Sequence, residues 1–335
     1  MGPEVGFMKF AIIGCGLIGN KRAATIPEGA LAVTCDADIS RAEALAKRFP
    51  ECEATTDLFA ALSRDDVGAA LICTPNHLLA PIALESLRHG KHILVEKPAG
   101  IRLEDVEELA LAAQAANLKA RVGFNHRYHA AFLKAREIFD SGILGALMHI
   151  RARYGHGGRT GYDREWRANP KLSGGGELID QGVHLIDLAR WFLGEFASVE
   201  GHATTSFWDM EVDDNAFLSL RTATGQTAWL HASCTEWKNL FSFEIFGRYG
   251  KLQIDGLGGS YGTERLTFYK MLPQMGPPET TCWEYPRGDE SWACEIREFL
   301  RDITEDRVPS PSLTDASIAL EIVRTICHKS RKPAP

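Results

Sequence analysis

The 335-residue chain has no hydrophobic run long enough to cross a bilayer, so the sequence predicts no membrane-spanning helix. The formal net charge is −7, from 37 basic and 44 acidic residues, without a long basic run, which argues against nucleic-acid binding. The first residues, MGPEVGFMKF, carry no basic segment ahead of their short apolar run, unlike a signal peptide. We therefore expect a cytoplasmic protein, with residues 1–7 as a leader ahead of the first strand.

The eight cysteines are scattered and form no CxxC pair, so neither structural zinc nor disulfides are expected. Several lie in predicted core strands, where a free thiol behaves as a small apolar side chain. They are Cys15, Cys35, Cys52, Cys73, Cys234, Cys282, Cys294 and Cys327.

The length predicts two domains. Over residues 1–125, short apolar runs alternate with amphipathic stretches, as in a doubly wound parallel α/β sheet. The predicted strands are Lys9–Ile13, Ala30–Cys35, Ala69–Cys73, His92–Val95 and Ala120–Phe124. The predicted helices are Leu17–Thr25, Ser40–Phe49, Asp57–Leu62, Leu78–His89 and Leu103–Asn117.

Residues 126–335 are predicted to form an α/β domain with a large open, mostly antiparallel sheet, because closely spaced strand-like runs follow Gly145. The Gly- and Pro-rich segment Leu257–Gly288 is predicted to be a loop or lid. The predicted helices are Tyr128–Ser141, Ser291–Glu305 and Leu313–Ser330, and the last of them has the option of packing back on the N-terminal domain.

One further helix, in GGGELIDQGVHLIDLARWFLG, is apolar except for a stripe of Asp180, His184 and Asp187. At spacings of four and seven residues, these side chains are predicted to share one helix face. A helix so apolar is mostly buried, and a buried carboxylate near an imidazole is a common way to orient a catalytic histidine. Asp187 has a structural alternative, pairing with an arginine such as Arg190, and the sequence favours neither role.

A GxGxxG pattern, Gly14–Gly19, follows the first predicted strand and opens a helix, and Asp36 ends the second strand. In this context the pattern predicts a dinucleotide site, with the glycines allowing close approach of a pyrophosphate. Asp36 would accept bonds from ribose hydroxyls and repel a 2′-phosphate, which favours NAD over NADP. Asp38 adds negative charge there, whereas Arg41 keeps NADP binding possible.

Several short motifs accompany this fingerprint along nearly the whole chain. They are Thr74-Pro75-Asn76, Glu96-Lys97-Pro98, Asn125-His126-Arg127, Trp166-Arg167, and Gly174-Gly175-Gly176 ahead of Asp180 and His184. With these motifs and the fingerprint, the sequence resembles the glucose–fructose oxidoreductase/inositol dehydrogenase (Gfo/Idh/MocA) family.

The resemblance implies a Rossmann domain followed by an α/β domain whose open sheet face often mediates oligomerisation, and hence a homodimer or homotetramer. It implies that Lys97 contacts nicotinamide ribose and the substrate hydroxyl, and that Asp180 and His184 hold and deprotonate that hydroxyl. Pro98 corresponds to a proline that is frequently cis. Independently, His184 suits a general base and Lys97 suits stabilisation of an alkoxide.

The resemblance also implies a wider set of contacts. Cofactor contacts are expected from Gly14, Gly16, Leu17, Ile18, Gly19, Asp36, Thr74, Pro75, Asn76, Glu96, Lys97 and Asn125. Tyr154, Trp166 and Arg167 are candidate substrate contacts, with His156 and Arg159 as weaker ones; packing is an equal alternative for Trp166 and Arg167. Asp180 and His184 lack a third ligand at convincing spacing, so no metal is expected. Leu79 stands where many relatives have histidine, with His77 nearby, which cautions against transferring their substrate contacts.

The sequence thus predicts an NAD-dependent oxidoreductase acting on a secondary alcohol of a sugar, polyol or nucleotide sugar. Two alternatives stay open. One is a non-catalytic protein that senses NAD or sugar on the same fold. The other is an enzyme that recycles tightly bound NAD, as an epimerase, lyase or sugar–sugar oxidoreductase.

Overall fold

A computed structural model describes residues 8–330, so the predicted leader of residues 1–7 lies outside the described range. The chain divides into two compact units. The first comprises the chain up to Phe124 together with Trp292–Ser317, and the second comprises Asn125–Ser291 and the chain from Ile318 onward. Two continuous domains, 1–125 and 126–335, remain a prediction; the first boundary between the compact units falls at the same point of the chain.

The described range contains fourteen strands and ten α-helices. The strands are β1 (Lys9–Ile13), β2 (Leu31–Cys35), β3 (Glu53–Thr55), β4 (Val67–Ile72), β5 (His92–Glu96), β6 (Ala120–Gly123), β7 (Leu147–Gly155), β8 (Phe196–Thr204), β9 (Asn215–Thr222), β10 (Thr227–Ser233), β11 (Leu240–Gly247), β12 (Gly250–Asp255), β13 (Glu264–Lys270) and β14 (Glu279–Tyr285). The helices are α1 (Leu17–Ala23), α2 (Ile39–Ala46), α3 (Leu58–Leu62), α4 (Asn76–Arg88), α5 (Leu103–Ala115), α6 (Ala130–Asp140), α7 (Pro170–Ser173), α8 (Val183–Leu193), α9 (Ser291–Thr304) and α10 (Leu313–Ser330).

The first unit is built on a six-stranded parallel sheet in the order β3-β2-β1-β4-β5-β6, which confirms the predicted doubly wound fold. Strand β3 was not predicted, because a strand of three residues is too short to show a recognisable alternation of polar and apolar side chains. Asp38 and Asp57 begin α2 and α3, because each side chain accepts a hydrogen bond from a backbone N–H of the first turn. Helix α9 adds Ile296 and Phe299 to the core beneath β1.

The second unit is built on an eight-stranded sheet in the order β14-β13-β12-β11-β7-β10-β9-β8. Only β7 and β10 pair in parallel, which confirms the mostly antiparallel sheet. Helix α8 packs on β7 and β10. On the opposite face, large apolar side chains such as Phe217 and Trp229 are exposed.

The prediction that Leu257–Gly288 is a loop or lid was wrong, because the segment contains the antiparallel pair β13 and β14. Its glycines and prolines cluster at residues 256–262 and 273–278, outside the strands. The strands themselves carry Thr, Phe, Tyr and Trp, which favour β structure. Composition averaged over the whole segment concealed them.

The striped helix also differs from a regular α-helix. Residues Leu178–Gly182 form a single π-helical turn, and the α-helical geometry of α8 begins only at Val183. A π turn holds about one residue more than an α turn, so a spacing of four residues stays close to one full turn in either geometry, and the shared face of Asp180 and His184 stays a prediction. Such turns occur frequently at functional sites.

A fully buried arginine connects three elements of the first unit. Arg22, on α1, donates from Nε to Oε1 of Glu96 at 2.7 Å, and its Nη1 lies 2.6 Å from Oε2 of Glu295 on α9. Its guanidinium also lies 4.5 Å from the ring centre of Trp292. A buried charge is tolerated only when it is paired, so these contacts join the fingerprint helix to the end of β5 and to α9.

Glu295→Gln should reduce the pH dependence of stability. Burial raises the pKa of Glu295 from 4.5 to about 7, with Arg22 opposing and Glu96 reinforcing the shift. Because the folded pKa exceeds the unfolded one, the wild-type protein should lose up to about 3 kcal/mol of unfolding free energy as the pH rises through this interval. Urea unfolding at pH 5 and pH 8 measures the loss.

The matched control is Glu107→Gln, which removes an exposed carboxylate from α5 and should retain the wild-type difference. An unchanged difference in Glu295→Gln would contradict the shifted ionisation.

Candidate active site

The glycines of the fingerprint turn differ in what surrounds them. A Cβ on Gly14, which has φ +95°, would lie 2.7 Å from the carbonyl oxygen of Cys73, and one on Gly19 would lie 2.0 Å from that of Gly14. Around Gly16 a Cβ would meet no atom within 4 Å. The fold therefore requires Gly14 and Gly19, whereas Gly16 leaves space open ahead of α1. That space fits the pyrophosphate of a dinucleotide.

Asp36 lies beside this turn. Its Oδ2 accepts a hydrogen bond from the Cys15 amide at 2.7 Å, and its Oδ1 accepts one from the Asp38 amide at 2.9 Å. The carboxylate is partly exposed and retains lone pairs for ribose hydroxyls. Arg41, the side chain that favours NADP, pairs with Asp38 at 3.5 Å.

The other cofactor residues predicted in the first unit lie at the same carboxyl edge of the parallel sheet. Thr74 and Pro75 join β4 to α4, and Asn76 is the buried first residue of α4. Glu96 ends β5, and Lys97 follows it. The Lys97–Pro98 peptide is cis, as the resemblance implied. Ligands of open α/β sheets bind at this edge.

In the second unit, Asp180 receives a hydrogen bond from Arg167, with Nε 3.2 Å from Oδ2. Asp187 is bound by Arg127, at 2.8 Å from Nε and 2.5 Å from Nη2. The suggested structural role of Asp187, pairing with an arginine, is thus filled by Arg127, while Arg190 bonds Glu195. Both members of the Asp187–Arg127 pair are buried, so the pair fixes α8 against the 125–128 segment.

His184 has an aromatic environment that the sequence reading did not foresee. The ring of His126 stacks on it, with centroids 3.8 Å apart and planes 22° from parallel. The ring of Tyr154 is tilted against that of His126, with centroids 5.2 Å apart, and lies edge-on to that of His184, with centroids 6.2 Å apart. The stack restricts the orientation of the His184 ring. Asn125, the residue before His126, donates to the Ser291 hydroxyl at 2.8 Å.

Three tyrosines lie near Glu177 and Asp180, and two of them were missed. Burial, reinforced by the charges of Glu177 and Asp180, raises the pKa of Tyr154 and Tyr162 well above 10 and that of Tyr261 to about 12. The rings of Tyr154 and Tyr261 meet edge to face, with centroids 5.4 Å apart. All three are therefore neutral hydroxyls at physiological pH, able to donate and accept hydrogen bonds. Tyr261 was missed because its segment was predicted to be a featureless loop.

The glycine triplet allows close backbone approach. A Cβ on Gly176 would lie 1.8 Å from the carbonyl oxygen of Asp213. The Asp213 carboxylate accepts hydrogen bonds from the amides of Gly176 at 3.0 Å and Leu178 at 2.8 Å. Burial raises the pKa of Asp213 to about 6, with these amides opposing the shift. Glu177, also missed, is buried and accepts from the Tyr162 hydroxyl at 2.6 Å.

The remaining candidate substrate contacts fall into two groups. The guanidinium of Arg167 lies 4.6 Å from the ring centre of Trp166, which brings Trp166 next to the Asp180 partner. His156 lies 3.4 Å from Glu177, within the same polar cluster. Arg159 instead bonds Glu165 at 2.6 Å with its side chain largely exposed.

Across residues 8–330, no three His, Cys, Asp or Glu side chains are grouped to hold a metal ion. Within the same range no helix is long and apolar enough to cross a membrane.

Comparisons with known proteins agree with this geometry. Residues 8–124 match the family model described as "Oxidoreductase family, NAD-binding Rossmann fold", and residues 132–253 match "GFO/IDH/MocA C-terminal domain". The chain belongs to the Gfo/Idh/MocA family. The predicted family is confirmed, and this Gfo/Idh/MocA protein is an NAD-binding oxidoreductase.

Its curated relatives include two dehydrogenases that are named for different substrates. Levoglucosan dehydrogenase of Pseudarthrobacter phenanthrenivorans is 28% identical over 84% of this chain and 83% of its own. The scyllo-inositol 2-dehydrogenase (NAD(+)) of Bacillus subtilis is 25% identical over 98% and 95%. Among solved structures, levoglucosan dehydrogenase in complex with NADH and levoglucosan superposes with a TM-score of 0.84 at 24% identity, covering 96% and 97%.

Two glycine substitutions should separate folding from cofactor binding. In Gly16→Ala the added methyl meets no protein atom, so the melting temperature should stay near that of the wild type while the Kd for NADH rises about tenfold. In Gly19→Ala the methyl meets backbone, so the melting temperature should fall. Thermal unfolding and fluorescence titration with NADH measure both. Unchanged NADH affinity in Gly16→Ala would overturn the assignment of the open space to the cofactor.

Proposed function

We propose that this Gfo/Idh/MocA protein is an NAD-dependent dehydrogenase that oxidises a secondary alcohol of a sugar or polyol. The observation that carries the proposal is the cluster around Asp180. A carboxylate with a guanidinium and three neutral tyrosine hydroxyls nearby, followed by an imidazole on the next turn, suits a substrate with several hydroxyl groups.

Each proposed catalytic residue has a distinct role. His184 accepts the hydroxyl proton, and stacking on His126 fixes the plane of its ring for this transfer. Asp180, held by Arg167, orients the hydroxyl or a neighbouring one. Lys97 stabilises the developing alkoxide, a role that rests on the family resemblance and on its position after β5. NAD, when bound, accepts the hydride.

The substrate class is supported by the named activities of the relatives, which act on levoglucosan, scyllo-inositol and glucosides. Nucleotide sugars remain in the proposed range, since a relative from Streptomyces violaceoruber reduces a dTDP-linked sugar. A screen of inositols, aldoses, glycosides and nucleotide sugars, read by NADH absorbance, tests the class. No NADH from any of them would overturn simple dehydrogenation.

The two alternatives predict different behaviour. A non-catalytic sensor needs neither Lys97 nor His184, and the retention of both favours an enzyme. An enzyme that recycles its cofactor should retain NAD(H) through gel filtration, whereas a simple dehydrogenase should release it.

We further propose that the protein works as a homodimer or homotetramer in the cytoplasm. The exposed apolar side chains on the open sheet face support self-association, and the eight free thiols suit a reducing compartment.

Lys97→Ala and His184→Asn should each lower kcat by about 10²- to 10⁴-fold, because each removes a group that acts on the reacting hydroxyl. His184→Asn should leave the Kd for NADH close to that of the wild type, which shows that the fold is intact. Steady-state kinetics and NADH titration give the two quantities. Near-normal turnover in either variant would refute its catalytic role.

The protein should bind NAD more tightly than NADP, and Asp36→Ala should reduce that preference at least tenfold. The fixed carboxylate accepts ribose hydroxyls and repels a 2′-phosphate, and alanine does neither. Paired titrations with the two reduced cofactors measure the ratio. Tighter binding of NADPH by the wild type would contradict the proposed role of Asp36.

A further inference from the structure

Two large aromatic side chains are exposed together on neighbouring loops of the second unit. Phe207 follows β8 and is 58% exposed, and Trp237 follows β10 and is 65% exposed. Their rings meet edge to face, with centroids 4.6 Å apart. Trp208 lies beside Phe207 at 5.1 Å. We call Phe207, Trp208 and Trp237 the aromatic platform.

The first of these loops is held rigidly. The buried carboxylate of Asp214 accepts hydrogen bonds from three successive backbone amides, those of Ser206 at 2.8 Å, Phe207 at 2.7 Å and Trp208 at 3.0 Å. Burial opposes its ionisation, but these donors hold the pKa of Asp214 below its usual value. The indole N–H of Trp208 donates to the Cys234 carbonyl at 3.0 Å, which ties the loop to the end of β10.

The second loop accepts an unfavourable backbone conformation. Trp237 has φ +56°, in the left-handed region that side chains other than glycine rarely adopt. Glycines clear the space beneath the platform: a Cβ on Gly158 would lie 2.3 Å from the Trp208 ring, and one on Gly157 would lie 3.0 Å from the Trp237 backbone. The strained backbone of Trp237 and the space left by the two glycines keep the aromatic rings exposed to water. This arrangement indicates that the platform has a binding role.

The platform is continuous with the cluster around Asp180. The ring of Trp208 lies 5.6 Å from that of Tyr162, whose hydroxyl donates to Glu177. Tyr162 is close enough to Asp180 for that charge to raise its pKa. The buried ring of Tyr162 thus packs between the Asp180 cluster and the platform, so the two lie on adjoining parts of the second unit.

The charges near the platform select among ligands. Asp209 and Glu211 are exposed on the first loop, and Glu236 precedes Trp237 on the second. The nearby cations are Lys238 on the second loop and Arg159, whose charge is paired with Glu165 at 2.6 Å. This negative surround disfavours the diphosphate of a nucleotide sugar. An uncharged pyranose suits it better, because the C–H groups on one face of the ring can pack on the electron-rich faces of indole and benzene rings.

We propose that the aromatic platform is an outer subsite that stacks the second ring of a neutral glycoside, whose first ring lies at Asp180 and His184. This inference rests on the proposed dehydrogenase function and narrows its substrate class from sugars in general to glycosides. Phe207 and Trp237 are specificity residues, remote from the reacting atoms.

The test compares glucose with the disaccharides maltose and cellobiose in Phe207→Ala, Trp237→Ala and the double variant. Phe59→Ala, which removes an exposed aromatic side chain from α3 of the first unit, is the matched control. The platform variants should raise KM for a disaccharide about tenfold, by loss of ring stacking, and leave its kcat and both constants for glucose unchanged. Phe59→Ala should change none of these values. Equal losses for glucose and disaccharides, or no loss, would overturn the subsite.

Direct binding separates this inference from the proposed function. Saturation-transfer NMR with maltose and cellobiose, in the presence of NADH, reports binding without turnover. Loss of disaccharide binding in Trp237→Ala but not in Phe59→Ala would support the subsite even if no sugar were oxidised. Sedimentation tests whether a second copy of the chain occupies the platform instead. If the platform variants dissociate an oligomer that Phe59→Ala preserves, the platform is an interface between copies of the chain and the subsite is refuted.

Discussion

The buried guanidinium of Arg22 is the contact on which the first unit depends. It has no access to water, so its charge is supported only because Glu96 and Glu295 arrive from two other elements. Removing one partner of such a group leaves an uncompensated charge, at a cost of about 3–5 kcal/mol. Arg22 thus holds three elements together, namely α1 after the glycine turn, β5 before Lys97, and α9. The glycine turn and Lys97 are therefore positioned by the same buried cation.

The second unit arranges its site by a different means, through carboxylates that collect backbone amides. Asp213 holds the start of the π turn, and Asp214 holds the loop after β8. These adjacent residues fix two neighbouring parts of the second unit, the cluster around Asp180 and the aromatic platform. Amide donors aimed at a fixed carboxylate leave little freedom to reorganise, which is the condition that precise placement of a substrate hydroxyl requires.

The sequence predicted what is local. The parallel sheet and the fingerprint turn followed from alternation and glycine spacing, which depend on residues close in the chain, whereas the cis Pro98 was implied by the family resemblance. Four features did not follow. Arg127, which binds Asp187, lies 60 residues away from it in the chain. The β13–β14 pair was hidden by the composition of its flanking turns, and the π turn leaves no trace in an apolar pattern. Tyr261 comes next to Tyr154 through the tertiary fold alone.

The π turn at Leu178–Gly182 has a consequence for any change in the length of this segment. A π turn accommodates one additional residue locally, so deleting one residue there would restore an α turn without rotating α8. The apolar face of α8 would stay against β7 and β10, whereas the carboxylate of Asp180, which lies within the turn, would shift relative to Arg167. A change of length at this one turn would therefore rearrange the polar groups around Asp180 and leave the sheet contacts of the helix in place.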